Sequence, residues 1–131
     1  MSHVILYIAC AVIFFALDFV WLSVMGPRFY QPQLGSLLLP NPNLLIAGLF
    51  YLAYLVGVVA LVAGPAQGDV GKALLYGAIL GFVAYGTYDL TNLSTVNGFT
   101  PTVAMVDMAW GTALTAISAA GGVWIAKFFS A

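Results

Sequence analysis

The stretch VILYIACAVIFFALDFVWLSV, residues 4–24, decides the fold of this chain. It is apolar apart from Asp18 and Ser23, and Asp18 is its only charged residue. A helix that crosses the hydrocarbon core of a bilayer needs about 20 consecutive apolar residues. The stretch has that length, and it lacks the basic start and the small-residue cleavage site of a signal peptide. We therefore expect a membrane-spanning helix that the mature protein retains.

Three further apolar segments of similar length follow, at about residues 44–63, 71–93 and 101–128. Short connections should make these three helices antiparallel neighbours. The sequence therefore predicts one domain, residues 1–131, that is an all-α integral membrane protein with an antiparallel bundle of four transmembrane helices.

Turn and capping residues set the predicted helix ends. Gly26-Pro27 is expected to end the first helix, which leaves residues 25–43 as an outer loop, and Gly64-Pro65 to end the second. Asn41 or Asn43 is expected to cap the second helix, because a side-chain oxygen there can accept a free backbone N–H. Thr100-Pro101 is expected to open the fourth helix with a cap and a proline at its first position.

Composition excludes several classes of function. The chain is 63% hydrophobic and 5% charged, whereas a soluble domain carries about 25% charged residues. The net charge of −1 offers no basic surface to nucleic acid, so the expected surroundings are the lipid bilayer. Cys10 and His3 are the only residues of their types, which excludes an internal disulfide, a Cys-rich zinc site and a haem site. The sequence does not identify a cofactor.

The few basic residues predict the orientation. Four spans place Lys72 and Lys127 on the same side as both termini, and Arg28 on the other side. Because basic residues are enriched in cytoplasmic segments, both termini are expected in the cytoplasm and Arg28 outside.

Three aspartates inside the predicted helices, Asp18, Asp89 and Asp107, are the candidate functional groups. A carboxylate at the bilayer centre costs about 2.5–3.5 kcal/mol, whereas interhelical hydrogen bonds in membranes contribute about 0.6 kcal/mol on average. At 1.5 Å per residue, all three lie roughly 6–10 Å below the outer edge. At least one should be protonated, since three neighbouring carboxylates cannot all stay charged there. They are candidate acid/base or ligand-binding groups, and a hard cation such as Mg²⁺ or Ca²⁺ is an open alternative.

Aromatic and polar residues at a similar depth, or on the loop above, are the candidate ligand-binding groups. They are Arg28, Tyr30, Tyr51, Tyr54, Tyr85, Tyr88, Thr91, Asn92, Trp21 and Trp110. The two tryptophans also fit a role as anchors at the membrane interface, and both interpretations stay open. Gly77, Gly81 and Gly111 are interpreted as packing surfaces, because small residues let helix backbones approach closely.

The segments around the aspartates resemble a known family. Leu17-Asp18-Phe19-Val20-Trp21-Leu22, Tyr88-Asp89-Leu90-Thr91-Asn92-Leu93 and Val106-Asp107-Met108-Ala109-Trp110-Gly111-Thr112 are similar to the domain of unknown function 2177 family. Its members are small bacterial inner-membrane proteins with four helices, and the resemblance covers essentially the whole chain. It implies the topology and a location in the bacterial inner membrane, and it names no substrate.

Three functions fit these observations. The favoured one is an outward-facing pocket that binds, with or without modifying, a lipid or another small apolar molecule. The second is an accessory or assembly subunit of a larger membrane complex. The third is a homo-oligomer that transports protons or ions. Whether a reaction is catalysed stays open.

Overall fold

The computed structural model describes residues 2–39, 41 and 43–129 and consists, over those residues, of helices and their connections. The α-helices are α1 (His3–Met25), α2 (Gln31–Leu34), α3 (Leu44–Val58), α4 (Val70–Thr95) and α5 (Pro101–Phe129). Two π-helical segments, Gly26–Tyr30 and Val59–Ala63, continue α1 and α3, and a short 3₁₀ turn spans Gly35–Leu37. In this described part of the chain, four helical stretches are long and apolar enough to cross a membrane, so the all-α membrane fold is confirmed.

Polar side chains start the last three spans. Asn43, Asp69 and Thr100 each accept a hydrogen bond from the backbone N–H three residues further on, at 3.1, 3.0 and 3.2 Å. Each bond satisfies an N–H that has no partner within its own helix. The predicted starts of the second and fourth spans at Asn43 and Thr100 are confirmed.

Gly26-Pro27 ends the α-helical part of the first span, since α1 stops at Met25 with Gly26 as its C-cap, but it does not end the helical path. The chain stays helical through a π-helical turn to Tyr30, in which the Gln31 N–H donates to the Gly26 carbonyl, and then enters α2. A proline inside an α-helix lacks an N–H and clashes with the carbonyl four residues back. Pro27 lies at the start of the π-helical turn, and the wider i to i−5 bond follows it. Part of the predicted outer loop is therefore helical.

Helix α5 is the centre of the bundle and packs closely against α4 and α1. A Cβ atom at Gly81 of α4 would lie 2.5 Å from the Gly111 carbonyl oxygen, so only glycine permits this approach. Gly122 of α5 similarly faces Cys10 of α1. The packing role predicted for Gly77, Gly81 and Gly111 is confirmed.

Helix α3 is held unevenly. Its π-helical end, Val59–Ala63, contacts α1, α4 and α5, whereas Leu44–Val58 makes its main helix contacts with α1. The Tyr54 hydroxyl bonds to the Thr115 hydroxyl of α5 at 2.9 Å, which ties the middle of α3 to the centre of the bundle. The second and third spans are therefore neighbours mainly near their connecting turn. Beyond that point a space opens between α3 and α4.

Candidate functional site

Asp107 of α5 is held by a chain of hydrogen bonds from the first span. The Tyr30 hydroxyl donates to Asp107 Oδ1 at 2.8 Å, and the Trp21 indole N–H donates to the Tyr30 oxygen at 3.1 Å. The π-helical turn after α1 brings Tyr30 over α5, since an irregular end at Gly26 would leave this tyrosine without a fixed position. Two donors in series therefore fix the orientation of the Asp107 carboxyl group.

Asp18 of α1 accepts a hydrogen bond from a side chain of α5. The Trp110 indole N–H of α5 donates to Asp18 Oδ1 at 3.1 Å. The rings of Trp21 and Trp110 stack, with centroids 4.3 Å apart and planes 4° from parallel. Trp110 of α5 therefore donates directly to Asp18 of α1, and Trp21 of α1 helps to hold Asp107 of α5 through Tyr30. This crossed arrangement joins α1 to α5.

Asp89 of α4 is fully buried, and neither of its carboxyl oxygens has a hydrogen-bond partner in the described part of the chain. Its side chain lies beside that of Asp107. Two carboxylates can bond to each other only through a proton or a cation between them. Burial of a carboxyl group without a partner destabilises the folded state. Binding of a proton or a ligand at this pair therefore stabilises the protein.

The three aspartates do not form one set of metal ligands. No group of three His, Cys, Asp or Glu side chains in the described residues is placed to hold a metal ion. Asp18 accepts a hydrogen bond from Trp110, whereas Asp89 lies beside Asp107. A hard-cation site such as one for Mg²⁺ or Ca²⁺ that uses three acidic side chains as ligands is therefore not formed by the described residues.

A cavity of about 430 Å³ lies between α3 and α4 and reaches Asp107. Its walls are mainly aromatic, and its lining residues are Phe50, Tyr51, Tyr54, Ala84, Tyr85, Tyr88 and Asp107. Phe50 and Tyr88 are 64% and 57% exposed, so they form the rim on the surface that faces lipid. The cavity therefore joins the lipid-facing surface to a carboxyl group inside the bundle.

The cavity walls are ordered by ring contacts and close packing. The Tyr54 and Tyr85 rings meet edge to face with centroids 6.3 Å apart, and the ring of Tyr51 packs on Phe14 at 5.4 Å. The Tyr85 ring lies directly over Gly111, where a Cβ atom would overlap it. Tyr51 and Tyr85 both lie within electrostatic range of Asp107, so the polar groups of the walls cluster at its inner end.

The structure does not bring every predicted ligand-binding residue to this place. Arg28 and Thr91 are exposed and are absent from the cavity lining, while Asn92 lies beside Tyr88, one turn further along α4. Two lining residues, Phe50 and Ala84, were not predicted. Each precedes a predicted tyrosine by one helical turn, so counting positions along one helix face would have found both.

The arrangement suits binding of a molecule that is apolar for most of its length. The rings offer apolar contact, and Asp107 offers one oriented acidic group that can accept a hydrogen bond, exchange a proton or pair with a positive charge.

A family model described as "Predicted membrane protein (DUF2177)" matches residues 3–124. The chain belongs to this family, the one that the segments around the aspartates resemble. No curated protein and no solved structure matches the chain.

Proposed function

We propose that this member of the family binds a lipid or another small apolar molecule that enters the cavity between α3 and α4 from the bilayer. The observation that carries the proposal is the meeting of Asp107 with aromatic walls in one cavity of about 430 Å³. Small-molecule sites commonly have volumes of about 300–1,000 Å³ and combine apolar walls with a few placed polar groups.

The rest of the bundle holds the side chains of the site in position. Tyr30 and Trp21 hold Asp107 in position, and the tight packing of α4 on α5 keeps Tyr85 over Gly111. A binding group whose orientation is fixed loses little freedom when a ligand arrives, which favours affinity. The Tyr54 and Tyr85 rings join α3 to α4 inside the cavity, while Phe50 and Tyr88 stay exposed at its rim, so a ligand can enter from lipid at the rim.

The basic residues give the cavity a proposed direction. Arg28 lies on the side of Asp107, whereas Lys72 and Lys127 lie toward the other end of the bundle. With the more basic side in the cytoplasm, both termini are cytoplasmic and the cavity opens in the outer half of the bacterial inner membrane.

Thermal unfolding of the purified protein in the presence of fractionated native lipid extracts tests the proposal. A ligand at about 100 times its Kd stabilises the folded state by about 2.7 kcal/mol, which raises the Tm measurably. At least one fraction should raise the Tm of the wild type and raise that of Asp107→Asn less. Asp69→Asn is the matched control, since Asp69 caps α4 outside the cavity and asparagine caps equally well.

The outcomes decide between the hypotheses. A fraction that separates Asp107→Asn from both the wild type and Asp69→Asn supports binding at Asp107. If no fraction raises the Tm of any protein, or if each fraction raises all three equally, the proposed function is wrong. Copurification of another membrane protein in a fixed ratio would instead favour the accessory-subunit hypothesis.

A further inference from the structure

The acidic site lacks a balancing positive charge. Asp107 lines the cavity, and the neighbouring Asp89 is fully buried with no hydrogen-bond partner among the described residues. The electrostatic neighbours of Asp18 and Asp89 are a tryptophan and another aspartate, and no basic side chain is among them. The three basic residues of the chain are exposed, in the outer segment or at the opposite end of α4 and α5.

The cavity walls carry a second, independent preference for positive charge. Four tyrosines and a phenylalanine present rings to the cavity. The face of an aromatic ring is negative, and cations held within about 6 Å of the ring centroid are attracted to it. The Tyr85 ring, fixed over Gly111, lies at the same inner end as the Asp107 carboxyl group. A ring face and a carboxylate at one point both favour a cation.

The shape and chemistry of the cavity select an organic cation over a metal ion. The described residues bring no three acidic, His or Cys side chains together, so they do not form an all-protein ligand set for a metal ion. A cavity of about 430 Å³ holds a group far larger than a single ion. An ammonium group with carbon substituents is weakly hydrated, fits ring faces, and needs only one carboxylate as its counter-ion.

We propose that the ligand of the cavity carries an ammonium group, quaternary or an alkylated amine, which pairs with Asp107 between the tyrosine rings while its apolar part extends past Phe50 and Tyr88 into lipid. This inference rests on the proposed function, since it specifies the chemical class of the molecule that the cavity binds. Tyr30 is then a positioning residue that orients the carboxyl group.

The test compares two probes of the same shape. Phenyltrimethylammonium carries a permanent positive charge, and tert-butylbenzene is its neutral counterpart. Each is titrated calorimetrically into the full chain in a non-ionic detergent, with empty micelles as the blank. The wild type should bind phenyltrimethylammonium and show at least tenfold weaker binding of tert-butylbenzene. Asp107→Asn should bind the cation at least tenfold more weakly, and Asp69→Asn should bind it like the wild type.

A second variant keeps the test decisive if Asp107→Asn does not fold. Tyr88 is 57% exposed, so Tyr88→Leu should preserve the fold while it removes one ring from the rim. Its affinity for the cation should fall about twofold to fivefold, the usual contribution of an exposed ring–cation contact, and its affinity for tert-butylbenzene should stay the same.

The outcomes separate this inference from the proposed function. Equal binding of both probes, unchanged in Asp107→Asn and Tyr88→Leu, overturns the ammonium assignment and leaves apolar ligand binding in place. Binding of neither probe also overturns the assignment, and the extract experiment then decides the proposed function alone. Competition by dihexanoylphosphatidylcholine would identify the source of the ammonium group as a lipid headgroup, and lack of competition as a free amphiphilic amine; either result keeps the assignment.

Discussion

The bond between Trp110 and Asp18 gives the sharpest test of the structure. The Trp110 indole N–H donates to Asp18 Oδ1 at 3.1 Å, and Asp18 is only 6% exposed, so water has little access to replace the donor. Trp110→Phe keeps an aromatic ring over Trp21 but removes the N–H. Asp18→Leu removes the acceptor in a side chain of similar size.

The expected magnitude follows from the position of the bond between α1 and α5. A hydrogen bond to a charged group contributes about 1.5–3 kcal/mol in soluble proteins, whereas interhelical bonds in membranes average about 0.6 and reach about 1.7 kcal/mol. Because the Asp18 carboxyl group is buried and Trp110 is its only hydrogen-bond donor in the described chain, we expect a coupling energy near the upper end, about 1–1.7 kcal/mol.

The assay is a double-mutant cycle on the free energy of unfolding, measured by denaturant titration in mixed micelles. Trp110→Phe should destabilise the wild type by more than it destabilises the Asp18→Leu protein, and the difference is the coupling energy, from which lost ring area cancels. Trp124→Phe is the control, since Trp124 lies on α5, is 56% exposed, and packs on Phe128. If Trp110→Phe costs the same with and without Asp18, the bond does not stabilise the bundle as described.

Two further predictions concern the walls and the support of the cavity. Gly111→Ala should lower the free energy of unfolding by about 1–3 kcal/mol, because its Cβ would overlap a tyrosine ring. Gly48→Ala is the control and should not destabilise the protein, since nothing lies within 4 Å of the added atom. Equal stability of the two variants would contradict the packing. Tyr30→Phe removes the hydrogen bond to Asp107 that holds the segment after α1. Amide hydrogen exchange at residues 26–37 should therefore be faster than in the wild type and in the control Tyr76→Phe. Unchanged exchange would refute the role of this bond in holding the segment.

Helix number and type follow from the sequence because hydropathy and length suffice for them. A bilayer-spanning stretch must be helical to satisfy its backbone groups, so four apolar segments of adequate length predict four spanning helices. The capping residues Asn43 and Thr100 act through neighbouring backbone atoms, and their effect could also be predicted locally. The continuation past Gly26-Pro27 could not, because contacts with α5 through Tyr30 favour the π-helical turn over the ending that Pro27 predicts.

The hydrogen-bond partners of the aspartates could not be predicted from the sequence. Counting residues along each helix placed the aspartates at one depth, but each tryptophan lies three residues from one aspartate and serves the aspartate of the other helix. Partner choice depends on the rotation of α1 against α5, which the stacking of Trp21 on Trp110 fixes. The space between α3 and α4 is likewise a result of packing, since the short turn between them predicts close neighbours along their whole length.

The most direct test of the account is a crystal structure of the protein grown from a lipid mesophase, at a resolution that shows bound lipids. The account predicts α3 apart from α4 along the cavity, and continuous density that starts at the Asp107 carboxyl group and runs between the Tyr85 and Tyr88 rings toward lipid. If α3 closes against α4 so that no cavity remains, or if the cavity contains only water, the account is contradicted.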